Sequence, residues 1–296
     1  MEASRPFCAE VSRDTREPLG ATASRIDHWI LLEYRGQWSR DVLGGSNLSP
    51  EVQAHVREQL RALSNSRLLF VRRPDRRGRA GLDAFVARST ERDSALSGIE
   101  IEAYDDLLEL DLTTAVGDPI GDPFFVVCTH GKRDRCCARY GRPLYDGLRA
   151  ELDERWVWQS THVGGDRFAG NVVCLPEGLY YGRVSPLDAG RLLDDYLAER
   201  VTLEHYRGRS CYPFAVQAAE LAVRDAADAL AIDAVALAGV EASGAGWLVR
   251  FRVGSEQYDV DVVEEAGEPT YLTCSSPEPQ RPRRFVARQL RRRAGG

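Results

Sequence analysis

Three of the seven cysteines and two of the five histidines fall between positions 128 and 162, a concentration of soft metal-ligand chemistry that packing alone does not require. Any fold of this chain has to give that span a common meeting point. Cys128 closes the apolar run Phe124-Phe125-Val126-Val127, and Cys136 and Cys137 lie in the polar loop that follows. A helical stretch then runs from about Tyr140 to Leu152, and His162 comes just after the strand-like Trp156-Val157-Trp158. In open α/β sheets, groups at the carboxyl ends of neighbouring strands line one crevice. The order of elements therefore brings these residues to one sheet end, and the fold class is mixed α/β with a helix-flanked sheet over 118–230.

The same theme occurs earlier in the chain. Trp29-Ile30-Leu31-Leu32 reads as a strand, Ser49-Pro50 as a cap before a helix-opening proline, and Val52, Val56, Leu60 and Leu63 repeat at helical spacing. Leu68-Leu69-Phe70-Val71 reads as a buried strand closed by Pro74 and an arginine-rich loop. Downstream, Pro176-Glu177-Gly178 punctuates a hairpin between Asn171–Leu175 and Leu179–Tyr181. Ser185-Pro186-Leu187-Asp188 opens a helix whose buried face is Leu192, Leu193, Tyr196 and Leu197. An alanine-rich helix follows from about Pro213 to Leu230, then alternating strands around Trp247–Val253 and Tyr258–Val262. The chain divides into an N-terminal α/β region with a strand-helix-strand unit (1–117), a central domain (118–232), a small antiparallel β meander (233–278) and a basic tail (279–296).

Composition narrows the function classes. The apolar runs are broken by charge well before the roughly 18 residues of a membrane span, and charged residues scattered through 1–20 leave no apolar core for a secretory signal. The expected location is the cytoplasm, where seven cysteines serve as thiols, metal ligands or redox groups rather than a disulfide framework. Net charge is −6, and Lys132 is the only lysine. The arginines from Arg281 to Arg293 read as a solvated, partly helical tail. Nucleic-acid binding is not expected from an acidic chain without a recognisable module.

Zinc would accept Cys128, Cys136 or Cys137, His162 and a fourth ligand. Seven or eight residues stand between the first cysteines, though, unlike a finger or ribbon. A wider gap suits a bulkier object such as an iron-sulfur cluster, and Gly164-Gly165 would let backbone approach it closely. Lys132, Arg133, Arg135 and Arg167 would place positive charge around an anionic cluster and attract an acidic partner. His130 reads as a hydrogen-bonding loop residue. Cys8, Cys174, Cys211 and Cys274 read as small buried apolar residues.

Cys128, His130, Arg133-Asp134, Cys137, then His162, Gly164-Gly165, Ala169 and Asn171 resemble the sucrase/ferredoxin-like family, a branch of the thioredoxin-like [2Fe-2S] ferredoxins. Its pattern runs Cys-x-His, Arg-Asp-x-x-Cys and later His-x-Gly-Gly-His-x-x-Ala-x-Asn. The similarity extends from about Phe124 to Tyr212. It implies a thioredoxin-like ferredoxin domain over 118–232 and a [2Fe-2S] cluster, held by two cysteines and two histidines in members with the full pattern. Cys128, Cys137 and His162 carry over directly, with Gly164, Gly165, Arg133 and Arg167 beside the cofactor. Asp166 stands where the second histidine is expected. Three roles stay open: Asp166 as fourth ligand, Cys136 as fourth ligand, or Asp166 as a group that orients a ligand.

The resulting expectation is an electron-transfer protein that needs a redox partner rather than a substrate pocket. No carboxylate pair is spaced to commit the chain to glycoside hydrolysis. Two alternatives stand beside it: a thiol-based oxidoreductase using Cys136, Cys137 or Cys128 without a Cys-x-x-Cys arrangement, and a zinc-stabilised interaction module.

Overall fold

The structure, a computed structural model, describes residues 6–73, 80–153 and 155–294. Pro74 and the arginine-rich loop after it lie outside the described residues. The elements in order are α1 (Cys8–Asp14), β1 (His28–Glu33), α2 (Pro50–Ala62), β2 (Ser66–Arg72), β3 (Leu82–Arg88), β4 (Ala95–Ile101), β5 (Asp118–Pro119), β6 (Phe124–Cys128) and α3 (Arg135–Glu151). Then follow β7 (Val157–Ser160), β8 (Val172–Leu175), β9 (Leu179–Tyr181), α4 (Ala189–Leu197), β10 (Tyr206–Arg209) and α5 (Phe214–Ala227). The chain ends with β11 (Ala236–Ser243), β12 (Gly246–Val253), β13 (Glu256–Ala266) and β14 (Arg283–Ala294).

The helix-flanked sheet is not confined to 118–230. One ten-stranded sheet runs β10-β9-β8-β6-β7-β2-β1-β3-β4-β5, so the boundary expected at 117/118 does not separate two sheets. Two copies of one path meet within it. β1 pairs with β2 in parallel and with β3 antiparallel, and β3 pairs with β4 antiparallel. Likewise β6 pairs with β7 in parallel and with β8 antiparallel, and β8 pairs with β9 antiparallel. The copies join edge to edge through the short antiparallel pairing Val71↔Ser160 and Arg72↔Gln159.

Strand alternation builds the layers. Phe124, Val126 and Cys128 face inward onto a shared core with Trp29, Leu31, Leu69, Phe85 and Trp158, while Phe125 and Val127 face α3 and α4 on the outside. Phe85 makes edge contacts with Phe124 and Trp158 at ring-centroid distances of 4.9 and 5.2 Å, joining the two copies across the inner face. On the far side of the first copy, α2 buries Val52 and Val56, and Ser49 caps it by accepting from the Val52 amide. In α4 the expected face is buried at Leu192, Leu193 and Tyr196, but Leu197 is half exposed because the helix ends there.

The basic tail is a strand. β14 pairs with β13 along the edge of a separate four-stranded antiparallel sheet, and Phe285, Ala287 and Leu290 pack towards α5. The acidic residues of β13 take up the arginines: Arg291 meets Asp261 at 2.7 Å and Arg293 meets Asp259 at 2.8 Å. Arg283, Arg288 and Arg292 pair with Glu264, Glu265 and Glu256. Each exposed pair contributes little to stability. As a set they fix these five arginines along a strand, where the charge pattern predicts a partly helical tail.

Where α5 meets the large sheet, Glu220 is fully buried between two equally buried arginines. Its Oε1 accepts from Arg209 Nε at 3.2 Å and Arg224 Nε at 3.0 Å, and its Oε2 from the Tyr206 hydroxyl at 3.0 Å. Five further guanidinium hydrogen bonds reach backbone oxygens of Glu91, Ala229, Ala231 and Ile232. The charges are satisfied within the protein.

Candidate metal centre

Cys128 ends β6, and its amide donates to the Asn171 carbonyl at 3.0 Å, tying the strand end to the chain before β8. α3 begins earlier than its apolar pattern indicates. Asp134 caps it, accepting from the Cys136 amide at 2.8 Å, which moves Cys136 and Cys137 out of the loop and into the first helical turn. Gly141 lets that helix rest on the strand end, since a Cβ there would run into the Cys128 carbonyl oxygen.

His162 follows β7, and Asp166 opens a short 3₁₀ turn four residues later. Gly164 and Gly165 shape the loop between them with φ of +105° and +81°, values that residues with a Cβ rarely adopt. The structure shows a packing role for both. A Cβ on Gly165 would strike the Arg207 guanidinium and one on Gly164 the Ser24 hydroxyl, so the pair seats this loop on its supports. Arg207 is buried beneath it, donating to the Gly164 carbonyl at 3.0 Å and to Asn171 Oδ1 at 2.9 Å. Burial lowers its pKa to about 10. Asn171 in turn donates to the Gly165 carbonyl at 2.9 Å. Gly165→Ala is therefore expected to cost about 1 to 3 kcal/mol of stability from the forced dihedral alone, read as a lowered denaturant midpoint.

These supports bring the ligand atoms of Cys128, Cys137 and His162 within 4.8 Å of one another. Asp166 joins them: its Oδ1 lies 3.2 Å from Cys137 Sγ and 3.0 Å from His162 Nδ1. Cys128, Cys137 and Asp166 are almost fully buried, whereas the His162 side chain is 20% exposed, which makes the imidazole the outward-facing member. Hydrogen bonding from Cys137, together with His162, holds the Cys128 pKa well below the usual thiol value despite its burial. Burial opposes a charge on His162, but Asp166 and Cys128 raise its pKa to about 9. The Asp166 pKa is lowered against burial by its hydrogen bond to His162. Without a metal, Cys128 is thus favoured as thiolate and Asp166 as carboxylate, whereas His162 is favoured as imidazolium and the Cys137 thiol is pushed up by the neighbouring Cys128; a metal ion would have to displace the protons of the latter two.

Cys136 does not join this set. Consecutive helical residues point about 100° apart, and its sulfur instead lies 3.5 Å from Cys8 Sγ and 3.3 Å from Cys274 Sγ. Of the basic residues, Lys132 and Arg135 are exposed and Arg133 is partly buried, near enough to favour the Asp166 anion. Arg167 is bound to Glu17 at 2.8 Å and lies over the Phe168 ring, so it supports the loop. His130 is buried with its ring edge-on to Trp38 at 5.8 Å. The residues that sequence reasoning missed are Cys8 and Cys274, which no local spacing links to Cys136, and Arg207, one arginine among many.

The sucrase/ferredoxin-like family model matches residues 19–208. Two curated relatives carry the name "Altered inheritance of mitochondria protein 32". The one from Meyerozyma guilliermondii is 36% identical over 103 residues, covering 30% of this chain and 35% of its own. The one from Debaryomyces hansenii is 31% identical over 99 residues, covering 30% and 36%. The chain thus spans about a third of the length of the curated relatives it matches. Among solved structures, a thioredoxin-like [2Fe-2S] ferredoxin from Aquifex aeolicus aligns with TM-score 0.27 and 18% identity, over 31% of this chain and 94% of that one. A cysteine-to-serine variant of it aligns with TM-score 0.26 over 29% and 97%.

Proposed function

The chain belongs to the sucrase/ferredoxin-like family, and from that premise we propose that residues 118–232 form a thioredoxin-like ferredoxin domain holding one [2Fe-2S] cluster, and that the protein is an electron carrier. The observation that carries the reading is the gathering of two buried thiols, an imidazole and a carboxylate where β6, β7 and the first turn of α3 meet. That donor chemistry fits the group, since thiolates bind iron well and imidazole can replace thiolate on one iron. A bound cluster supplies one-electron redox chemistry.

Cys128 and Cys137 are the thiolate ligands and His162 the imidazole ligand, with Asp166 fourth in place of the family's second histidine. An anionic carboxylate keeps the site more negative than two imidazoles would and so favours a lower potential. The inner core shields the thiols from water. His162 is the partly exposed member of the group, and the exposed Lys132 with Arg133, which lies near enough to favour the Asp166 anion, suits a redox partner with an acidic docking face. Seven free cysteines suit a reducing compartment, and we place the protein in the cytoplasm. No helix among the described residues is long and apolar enough to cross a membrane.

A single zinc ion is the second reading, favoured by the compactness of the group, whose thiol and imidazole donors all lie within 4.8 Å of one another. Anaerobic purification followed by a visible spectrum and by iron, zinc and acid-labile sulfide analysis decides between them. The cluster reading expects coloured protein with iron and sulfide in equal amounts. Colourless, sulfide-free protein after anaerobic reconstitution would overturn it.

A further inference from the structure

A second group of ligands lies on the other side of the α3 start. Cys8 from α1, Cys136 from α3 and Cys274 from the segment between β13 and β14 place their sulfurs 3.5, 3.3 and 3.7 Å apart. Asp134 completes the group, its Oδ1 3.9 Å from Cys8 Sγ. A zinc–sulfur bond of about 2.3 Å sets a sulfur–sulfur edge of about 3.8 Å in a tetrahedron, so the three thiols already stand within about half an ångström of that spacing.

Apolar packing does not account for the arrangement, because Asp134 is only 4% exposed and lies among the thiols. Among the described residues no lysine or arginine is ion-paired with it. Its oxygens are oriented by backbone amides, Oδ1 by Cys136 at 2.8 Å and Oδ2 by Cys274 at 2.6 Å. The Ala9 amide donates to Cys136 Sγ at 3.5 Å, a contact that favours thiolate over thiol. A buried carboxylate without a cation, beside three thiols from remote parts of the chain, is the environment a divalent metal would satisfy.

We propose that Cys8, Cys136, Cys274 and Asp134 form a structural zinc site, separate from the group of Cys128, Cys137, His162 and Asp166. The four donors close the tetrahedron without an open position, as in structural rather than catalytic zinc sites. The ion would bind α1 and the β13–β14 segment to the same helical turn that carries Cys137. The proposal stands whether the first group holds a cluster, a zinc ion or neither.

The test uses the full chain, stripped of metal under reducing conditions, titrated with zinc and assayed for bound metal. The Cys128→Ser/Cys137→Ser double variant and the Cys211→Ser control should each keep about one equivalent of zinc that Cys8→Ser and Cys274→Ser lose. Zinc-edge X-ray absorption on the double variant requires no further substitution. There the proposal expects three sulfurs at about 2.3 Å and one oxygen at about 2.0 Å. Equal zinc content in Cys8→Ser, Cys274→Ser and the unmutated chain would overturn it. So would a shell with fewer than three sulfurs, a double variant that binds no zinc, or a disulfide among Cys8, Cys136 and Cys274 in anaerobically prepared protein.

Discussion

Cys137→Ser will fold yet fail to hold the cluster: its visible absorbance should fall by at least tenfold after reconstitution while the far-ultraviolet dichroism stays unchanged. The side chain is fully buried in the first turn of α3, and serine keeps its size while removing the soft thiolate that iron requires. Cys128→Ser should behave alike, and His162→Ala should lose or strongly alter the spectrum. Cys136→Ser should leave the spectrum in place, because that sulfur points into the other thiol group. Two changes at Asp166 separate ligand from orienting group. If it only orients His162, Asp166→Asn can still accept the imidazole hydrogen bond and the spectrum persists; if it is a ligand, the spectrum changes. Asp166→His restores the family's two-histidine pattern and should raise the reduction potential, since a neutral imidazole replaces an anion. An unchanged spectrum in Cys137→Ser would sink the assignment.

Glu220→Ala should lower unfolding free energy by about 3 to 5 kcal/mol, a large share of the roughly 5 to 15 kcal/mol that holds a typical domain. Arg209 and Arg224 are each almost completely buried and both depend on the one carboxylate. Removing it leaves two like charges in a dry interior and deprives the Tyr206 hydroxyl of its acceptor. Glu220→Gln keeps an acceptor for one or two of those hydrogens and should be milder. Urea denaturation reads both through the midpoint, with a slope that stays constant if the native state is intact. A loss below about 1 kcal/mol would mean that water reaches the guanidiniums and that the network is not dry.

The legible parts of the fold were those with local pattern. The run before Cys128, the helix at Ser49-Pro50, the hairpin at Pro176-Glu177-Gly178 and the capping of Asp188 onto Ser185 all carry their cause within a few residues. The β3–β4 hairpin has no comparable local signal, so the path shared by the two copies is visible only in the folded chain. α3 starts earlier than its apolar stripe indicates because the helix opens with Arg135-Cys136-Cys137, where a cap rather than an apolar stripe marks the boundary. In β14 the arginines hid an alternation that brings Phe285 and Ala287 to one face. The first ligand group was readable because its members fall within 39 residues of chain from Cys128 to Asp166. The second was not: Cys8 and Cys274 are 266 residues apart, and only the folded chain brings them together.

That separation also dictates an order of assembly. A chain emerging from the ribosome exposes Cys128, Cys137, His162 and Asp166 well before Cys274, and the strands that support them can pair at once. Cys8 and Cys136, already synthesised, can complete their group only once Cys274 has followed. The molecule therefore has one group that can close early and a second that acts as a late-closing clasp, drawing distant ends of the described chain onto one helical turn.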